Sequence, residues 1–203
     1  MQYVGASVGG VIDAPMQAIW DLISNPVRHP ELAGSGEVQS VEVVSGPMGL
    51  DAIFQSRQNM RGIEYTTANR VVIWQPPYNI AWRIGFPFAP GVAQIWMFTL
   101  TPAFGGTLVE NGVVLPFVVP SVFPFSMIRK QIARRLIAVM YPTISNISQL
   151  LGVAAPTQLT AAYDPPSMVS VLLPSPLIQG AAMAGGLATL LLAMKKKSRA
   201  RAA

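Results

Sequence analysis

The side chains that could carry acid–base, nucleophilic or metal chemistry are few in this chain. Its 203 residues include one histidine, His29, and no cysteine. Cysteine nucleophiles, disulfides and thiolate metal sites are therefore excluded, and a metal site, which needs at least three ligands, is not expected. His29 stands in the segment VRHPEL, which we interpret as a loop after the first helix. We accordingly assign no catalytic residue, no metal and no cofactor.

Three charged residues on predicted strands are the remaining candidates for acid–base catalysis. Glu64, Arg70 and Glu110 could either project into a cavity or form ion pairs on the surface, and bulges that change strand parity leave both alternatives open. We favour surface ion pairs. The glycine-containing segments GTLVENGV and GAAMAGGLA lack the phosphate-loop spacing that ends in Lys and Ser or Thr. Nucleotide binding is therefore not expected.

Hydrophobic periodicity predicts a strand and two short helices, followed by a run of strands. Tyr3–Pro15 has strand composition and ends in a turn, and Met16–Asn25 places its apolar residues on one helical face. The segment PVRHPELAG continues as a second helical turn. From Gly36 the period changes to two, and about six strands follow with hairpin-length connections. This order predicts an antiparallel meander.

A long amphipathic helix is predicted over residues 126–151, with Ser126 as its N-cap and a kink or break at Pro142. Its apolar stripe consists of Ile128, Ile132, Leu136, Val139 and Met140. As the only long amphipathic element before the tail, this helix must cover the apolar face of the sheet. The sequence therefore predicts an α+β fold. In it, a curved antiparallel sheet of about seven strands wraps on this helix, with a cavity between them.

Aromatic side chains on the predicted strands are the candidate ligand-binding residues. They are Phe54, Tyr65, Trp82, Trp96 and Phe98. These residues are either ordinary core or the lining of a pocket. Both alternatives stay open, because core and pocket share one space when a sheet grips a single helix.

Parts of the chain resemble a known superfamily. The segments IDAPMQAIWDLISNPVRHPELAGSGEVQSVEVV and PPYNIAWR, with the long late helix, resemble the polyketide cyclase/START-like superfamily, also called SRPBCC, Bet v 1-like or helix-grip. The resemblance covers roughly residues 2–152. It implies a helix-grip fold with a hydrophobic ligand cavity. Members bind lipids, sterols, polyketides or quinone-like molecules, and a minority are cyclases, aromatases or dehydratases.

The end of the chain, residues 177–203, joins an uncharged apolar stretch to a basic tail. The tail accounts for the whole net charge of +5, because the other basic and acidic residues balance. A basic cluster beside an apolar segment indicates anionic lipid, whereas a nucleic-acid binder would spread its cations over a folded face. No nucleic-acid partner is expected. The basic residues are Lys195, Lys196, Lys197, Arg199 and Arg201.

As a helix, Leu177–Met194 would be about 27 Å long, close to the hydrocarbon core of about 30 Å. Its small residues let another helix approach closely, through the pairs Ala181 with Gly185 and Ala182 with Gly186. Insertion is favoured by its leucines, Leu177, Leu187, Leu190, Leu191 and Leu192. Whether this helix crosses the membrane or docks on it stays open.

The expected location is the cell membrane, with the folded domain on the cytoplasmic side. The positive-inside rule would put the basic tail in the cytoplasm, and the N-terminal segment does not have the pattern of a signal peptide. A helix that crossed with this orientation would place the domain outside without an export signal. We therefore favour a cytoplasmic domain whose tail docks in or on the bilayer. The tail could also lie beside the helix of a partner protein there.

These features divide the chain into a helix-grip domain (1–152), a proline-rich linker (153–176) and a membrane helix with a basic tail (177–203). The first hypothesis is a membrane-tethered binding or carrier protein for a hydrophobic small molecule or lipid, without enzymatic activity. Two alternatives stay open. One is a non-catalytic accessory subunit of a membrane protein complex, docked through its C-terminal helix. The other is a polyketide cyclase or dehydratase-type enzyme.

Overall fold

The computed structural model describes residues 2–88, 93–119 and 122–163, so the predicted membrane helix at 177–203 lies outside the described residues. Within the described part, eight strands form one antiparallel sheet in the order β2-β3-β4-β5-β6-β7-β1-β8. The strands are β1 (Gln2–Ile12), β2 (Val38–Val43), β3 (Ile53–Met60), β4 (Ile63–Gln75), β5 (Asn79–Gly85), β6 (Ile95–Ala103), β7 (Gly106–Val119) and β8 (Thr157–Ala162). The predicted meander is confirmed.

Two short helices close one end of the sheet. α1 (Met16–Ile23) follows β1 directly and buries the apolar face that its periodicity predicts. Trp20 of this face packs edge-on against Trp74 of β4, with ring centroids 5.2 Å apart. A 3₁₀ turn (Pro26–Arg28) follows, and the Asn25 side chain caps it by accepting a hydrogen bond from the Val27 amide at 3.2 Å. The single-turn helix α2 (His29–Leu32) comes next.

The long helix α3 (Phe125–Leu150) agrees with the predicted span of 126–151 to within one residue at each end. The predicted N-cap is wrong, because the capping position is Pro124 and no side chain caps the helix. The predicted break at Pro142 is also wrong, because the helix continues through it. Pro142 lacks the N–H that would bond the Ala138 carbonyl. Both residues are exposed, and burial of Met140 and Ile144 beside them holds the helix on the sheet.

The buried stripe of α3 also differs from the prediction at its start. Met140 is fully buried, but Ile128 is about half exposed. The buried residues begin with Ala133 and continue through Ile137, Met140, Thr143, Ile144, Ile147 and Ser148. The first two turns of α3 therefore extend past the part of the sheet that the helix covers.

An eighth strand lies within the predicted linker. β8 pairs antiparallel with β1, so the sheet has one strand more than predicted and the folded region reaches residue 162. All six residues of β8 are exposed. This explains why the segment lacks an apolar period, since β8 contributes mainly backbone pairing at an edge. The turn into it begins at Gly152, whose φ of 70° is typical of the residue that ends a helix.

α3 covers only part of the concave face of the sheet. It packs mainly on β1 and β7, and glycine permits its close approach to β1. A Cβ at Gly10 would lie 3.3 Å from Ile144 Cγ2 and 2.9 Å from Leu159 Cδ2. The concave side of β3–β6 is not covered by the helix, and this leaves a space between sheet and helix.

Candidate ligand-binding cavity

A cavity of about 590 Å³ fills the space between the concave face of the sheet and α3. Strands β3–β7, the residues after α2 and one side of α3 form its walls. The structure places all five aromatic residues singled out in the sequence on this lining: Phe54, Tyr65, Trp82, Trp96 and Phe98. They therefore lie together around one space, and ligand binding by them stays a prediction.

The aromatic wall of the cavity follows from strand register. Trp82 on β5 is directly opposite Trp96 on β6, and Phe98 lies two residues farther along β6 on the same face. The Trp82 ring centroid is 6.1 Å from that of Phe98 and 6.1 Å from that of Phe54. Such distances are typical of contacting aromatic pairs. The result is a continuous apolar surface across β3, β5 and β6.

His29 completes this wall, which sequence reasoning missed. Its imidazole stacks on Trp82 with ring centroids 5.0 Å apart at an interplanar angle of 30°. It also packs edge-on against Phe54 at 5.5 Å. The sequence predicts a loop at His29, and this prediction is wrong, because His29 begins α2 and lines the cavity. The missed signal is its position six residues after the end of α1, between Pro26 and Pro30, which direct the chain back over the sheet.

The protonation of His29 is set by its surroundings. Burial lowers the pKa of His29 to about 4, against a smaller opposing effect of the Ile23 carbonyl. The ring atom Nε2 lies 3.1 Å from the Ile23 carbonyl oxygen. A carbonyl oxygen only accepts, so Nε2 carries the proton of the neutral ring and Nδ1 is left as an acceptor. Near neutral pH the residue offers a stacking face and an acceptor without charge.

A strip of neutral polar side chains forms the wall along β3 and β4. Tyr65 donates to Gln58 Oε1 at 3.1 Å, and Gln58 Nε2 donates to Thr67 Oγ1 at 3.0 Å. Deeper in the cavity, Asn69 Nδ2 donates to Ser56 Oγ at 3.0 Å. All five residues line the cavity.

The polar strip is kept uncharged and partly satisfied by its own bonds. Burial, with a smaller contribution from the Glu37 carboxylate, raises the pKa of the Tyr65 phenol. Alternation along the strands turns these side chains inward with Phe54. That common parity was the signal in the sequence that could have identified the strip, because Phe54, Ser56 and Gln58 are two residues apart.

Asn111 supplies an unpaired polar group at the other side of the cavity. It lies on β7 directly opposite Phe98 and is 2% exposed. Its Oδ1 atom has no hydrogen-bond partner among the described residues, although Asn111 lines the cavity. A buried amide without a partner costs about 1–3 kcal/mol. A ligand with a hydrogen-bonding group near Asn111 would remove that cost.

The charged residues weighed for catalysis lie elsewhere. Glu64, Arg70 and Glu110 are exposed and do not line the cavity. Glu64 is paired with Arg57 at 3.3 Å. Arg70 is paired with Asp51 at 3.0 Å, so the expected surface ion pairs are confirmed for these two residues. Within the described residues, no group of three or more His, Asp and Glu side chains could hold a metal ion.

Comparison with known proteins gives matches by structure alone. No family model matches the chain, and no curated protein matches it. Protein Ms6760 from Mycobacterium smegmatis superposes with a TM-score of 0.53 at 15% identity, over 73% of this chain and 91% of that one. Ara h 8.0201 superposes with a TM-score of 0.54 at 12% identity, over 73% of this chain and 97% of that one.

A third match is the di-domain ARO/CYC StfQ from the steffimycin biosynthetic pathway. Its TM-score is 0.58 at 15% identity, and the match covers 75% of this chain and 53% of StfQ. At such identities the likeness shows the fold alone, and it confirms the predicted helix-grip fold. No helix of the described residues has both the length and the hydrophobicity needed to span a bilayer.

Proposed function

We propose that this protein binds and carries an apolar small molecule in the cavity under α3. The observation that carries the proposal is the cavity itself, about 590 Å³ in volume, with an aromatic wall facing α3. Cavities of about 300–1,000 Å³ with mostly apolar linings and a few placed polar groups are typical of small-molecule sites. Exposed lining residues at Ser35, Phe86 and Arg135 mark where a ligand enters.

The two walls indicate the chemistry of the ligand. Trp82, Trp96 and His29 present flat faces that suit a ring system or a chain lying against them. The neighbouring polar strip on β3 and β4 offers neutral donors and acceptors. We infer an uncharged ligand with rings or other apolar bulk and hydroxyl or carbonyl groups along one edge. A buried carboxylate or ammonium would find no opposite charge in the deep part of the cavity.

The cavity supports the cyclase or dehydratase alternative less well than it supports ligand binding. The acid–base candidates considered for it, Glu64, Arg70 and Glu110, are exposed and do not line the cavity. The neutral His29 has Nε2 engaged by the Ile23 carbonyl, which suits a fixed wall. A binding role accounts for the aromatic wall and for the neutral polar strip of the lining.

Membrane tethering through residues 177–203 remains the second part of the proposal. It is supported by the uncharged stretch from Leu177 to Met194 and by the five cations that follow it. In this arrangement the tail holds the helix-grip domain beside the lipid phase, where apolar ligands are concentrated. The accessory-subunit alternative would instead use Ala181, Gly185 and their neighbours to contact a partner helix.

Native mass spectrometry of the purified full chain tests the binding part directly. We expect a fraction of molecules with an added mass that organic solvent extracts, and the extract identifies the ligand. A chain without any added mass, which also fails to bind neutral apolar probes, would contradict the proposal.

A further inference from the structure

Large apolar side chains are exposed together at one end of the sheet. Because neighbouring strands are antiparallel, the end of β5, the start of β6, the end of β7 and the start of α3 meet there. Phe88 is 87% exposed and Phe123 is 77% exposed. We call this group the mouth patch, and it consists of Phe86, Phe88, Val122, Phe123, Phe125, Met127 and Ile128.

The mouth patch is concentrated enough to indicate a contact surface. It holds half of the large hydrophobic residues that are exposed in the described chain. Phe86 and Phe88 stack on each other with centroids 5.4 Å apart and an interplanar angle of 4°. Phe86 also lines the cavity, so the patch borders the ligand entrance. Clusters of exposed large apolar side chains mark interaction sites.

Cations stand behind the apolar residues on the same face of α3. Arg134 follows Met127 by seven residues and Arg135 follows Ile128 by seven, which is close to two helical turns. Each arginine therefore lies on the same face as its partner, about 10 Å farther along the helix axis. Arg134 and Arg135 are exposed, as is Lys130.

The charges on α3 itself are all of one sign. The sequence has no acidic residue between Glu110 and Asp164, although four basic residues lie on α3. Of the carboxylates on nearby strands, Glu64 is already paired with Arg57 at 3.3 Å, and Glu37 lines the cavity. The start of α3 is thus apolar at its tip and cationic behind it.

We propose that the mouth patch docks on the surface of an anionic lipid bilayer, with the cavity entrance facing the lipid. Interfacial helices bury their apolar face about 5–10 Å into the boundary of headgroups and acyl chains. With Phe123, Met127 and Ile128 at that depth, Arg134 and Arg135 reach the level of the phosphates. Their long stems keep the guanidinium groups in the polar layer. The ligand then passes between cavity and bilayer without crossing water.

A second copy of this chain fits the patch less well than lipid does. A symmetric dimer places the same surface of both copies together. The cationic face of α3 in one copy would then be brought towards that of the other, with no acidic residue of α3 to offset the charges. An anionic bilayer satisfies the apolar residues and the cations at once.

The absence of cysteine allows a site-specific test in the full chain. A nitroxide attached to Phe123→Cys reports on the patch. The matched control is Phe104→Cys, which is 99% exposed between β6 and β7 at the opposite end of the sheet. With vesicles of phosphatidylcholine and phosphatidylglycerol, we expect the label at 123 to gain oxygen contact and lose contact with a water-soluble nickel chelate. The label at 104 stays in water.

Charge reversal completes the test. In the labelled Phe123→Cys chain, the double substitution Arg134→Glu with Arg135→Glu should abolish the gain in oxygen contact of the label at 123. Both arginines are exposed, so the variant should fold, and circular dichroism verifies this. A label at 123 that stays in water while the chain sediments with vesicles shows binding by the tail alone and overturns the proposal. If the label at 123 is already shielded from the nickel chelate when no vesicles are present, the patch forms a protein–protein contact, and this result also overturns the proposal. The proposal that the cavity binds a ligand is independent of both outcomes.

Discussion

The imidazole of His29 stacks on the indole of Trp82, with ring centroids 5.0 Å apart, while its Nε2 lies 3.1 Å from the Ile23 carbonyl oxygen. The stack joins α2 to β5 and forms part of the cavity wall. Because one face of the ring is covered and Nε2 is engaged, protonation of Nδ1 would put a charge against the aromatic wall. The contact therefore couples the cavity to pH.

Stability should fall with acidity through His29. Its pKa is about 4 in the folded chain and about 6.5 when unfolded, so the unfolded chain binds more protons between those values. The contribution of the neutral ring is then full above pH 6.5 and lost as pH falls to 4. Relative to His29→Phe, wild-type free energy of unfolding should drop by about 3 kcal/mol over this interval. Urea unfolding of both proteins at each pH measures this drop. If the free energy of unfolding of the two proteins changes with pH in parallel, the prediction is contradicted.

Replacing Asn111 should separate stability from binding. Asn111→Leu removes a buried side chain whose amide oxygen is unpaired, so the free energy of unfolding of the ligand-free chain should rise by about 1 kcal/mol. Affinity for a ligand with a hydroxyl or carbonyl group should fall at the same time. Chemical denaturation and a binding titration on the same preparation check both changes. A variant that is less stable than wild type would show that the Asn111 amide is satisfied in the ligand-free chain.

Gly34 holds the segment after α2 against α3. Its N–H donates to Thr143 Oγ1 at 3.0 Å, and an added Cβ would meet the Val139 carbonyl oxygen and lie 2.7 Å from Pro142 Cβ. Gly34→Ala should therefore lower the free energy of unfolding by about 1–3 kcal/mol. Gly49→Ala is the matched control, because a Cβ there has no neighbour within 4 Å. Equal stability of the two variants would show that the contact is not tight in solution.

The four tryptophans should respond differently to a ligand that quenches on contact. Trp82 and Trp96 line the cavity, whereas Trp20 and Trp74 pack together outside its lining. Bromonaphthalene, a neutral ring compound, should quench wild-type emission. Quenching should be mostly lost in the double variant Trp82→Phe with Trp96→Phe and kept in Trp20→Phe with Trp74→Phe. Equal quenching of both double variants would place the bound compound elsewhere.

The sequence predicted the sheet and its aromatic wall because both depend on a period of two. Trp82 and Trp96 belong to strands with strong alternation, and those strands follow one another in the chain and pair in the sheet. All five aromatic candidates consequently reached the cavity lining. Prediction of α3 succeeded for the related reason that its apolar period is long and uninterrupted by glycine.

The remaining features depend on contacts that local patterns do not encode. β8 has no buried side chain, so only backbone pairing with β1 identifies it. Ile128 fits the apolar period of α3, but the helix extends past the covered part of the sheet and leaves this residue exposed. His29 became part of the cavity because α2 folds back over β5, a contact between residues 53 positions apart.

Filling the cavity from α3 tests the central claim most directly. Val139 lines the cavity, whereas its neighbour Ala138 is exposed and does not line it, so Val139→Trp and Ala138→Trp add similar bulk inside and outside the cavity. Leu136→Trp is a second filling variant. The measurement is a fluorescence titration with the neutral probe N-phenyl-1-naphthylamine, after circular dichroism has shown that each variant is folded. We predict that Ala138→Trp binds like wild type and that the folded filling variants bind at least about ten-fold more weakly, a loss of about 1.4 kcal/mol. Unchanged affinity in folded Val139→Trp and Leu136→Trp would show that the ligand does not occupy this cavity.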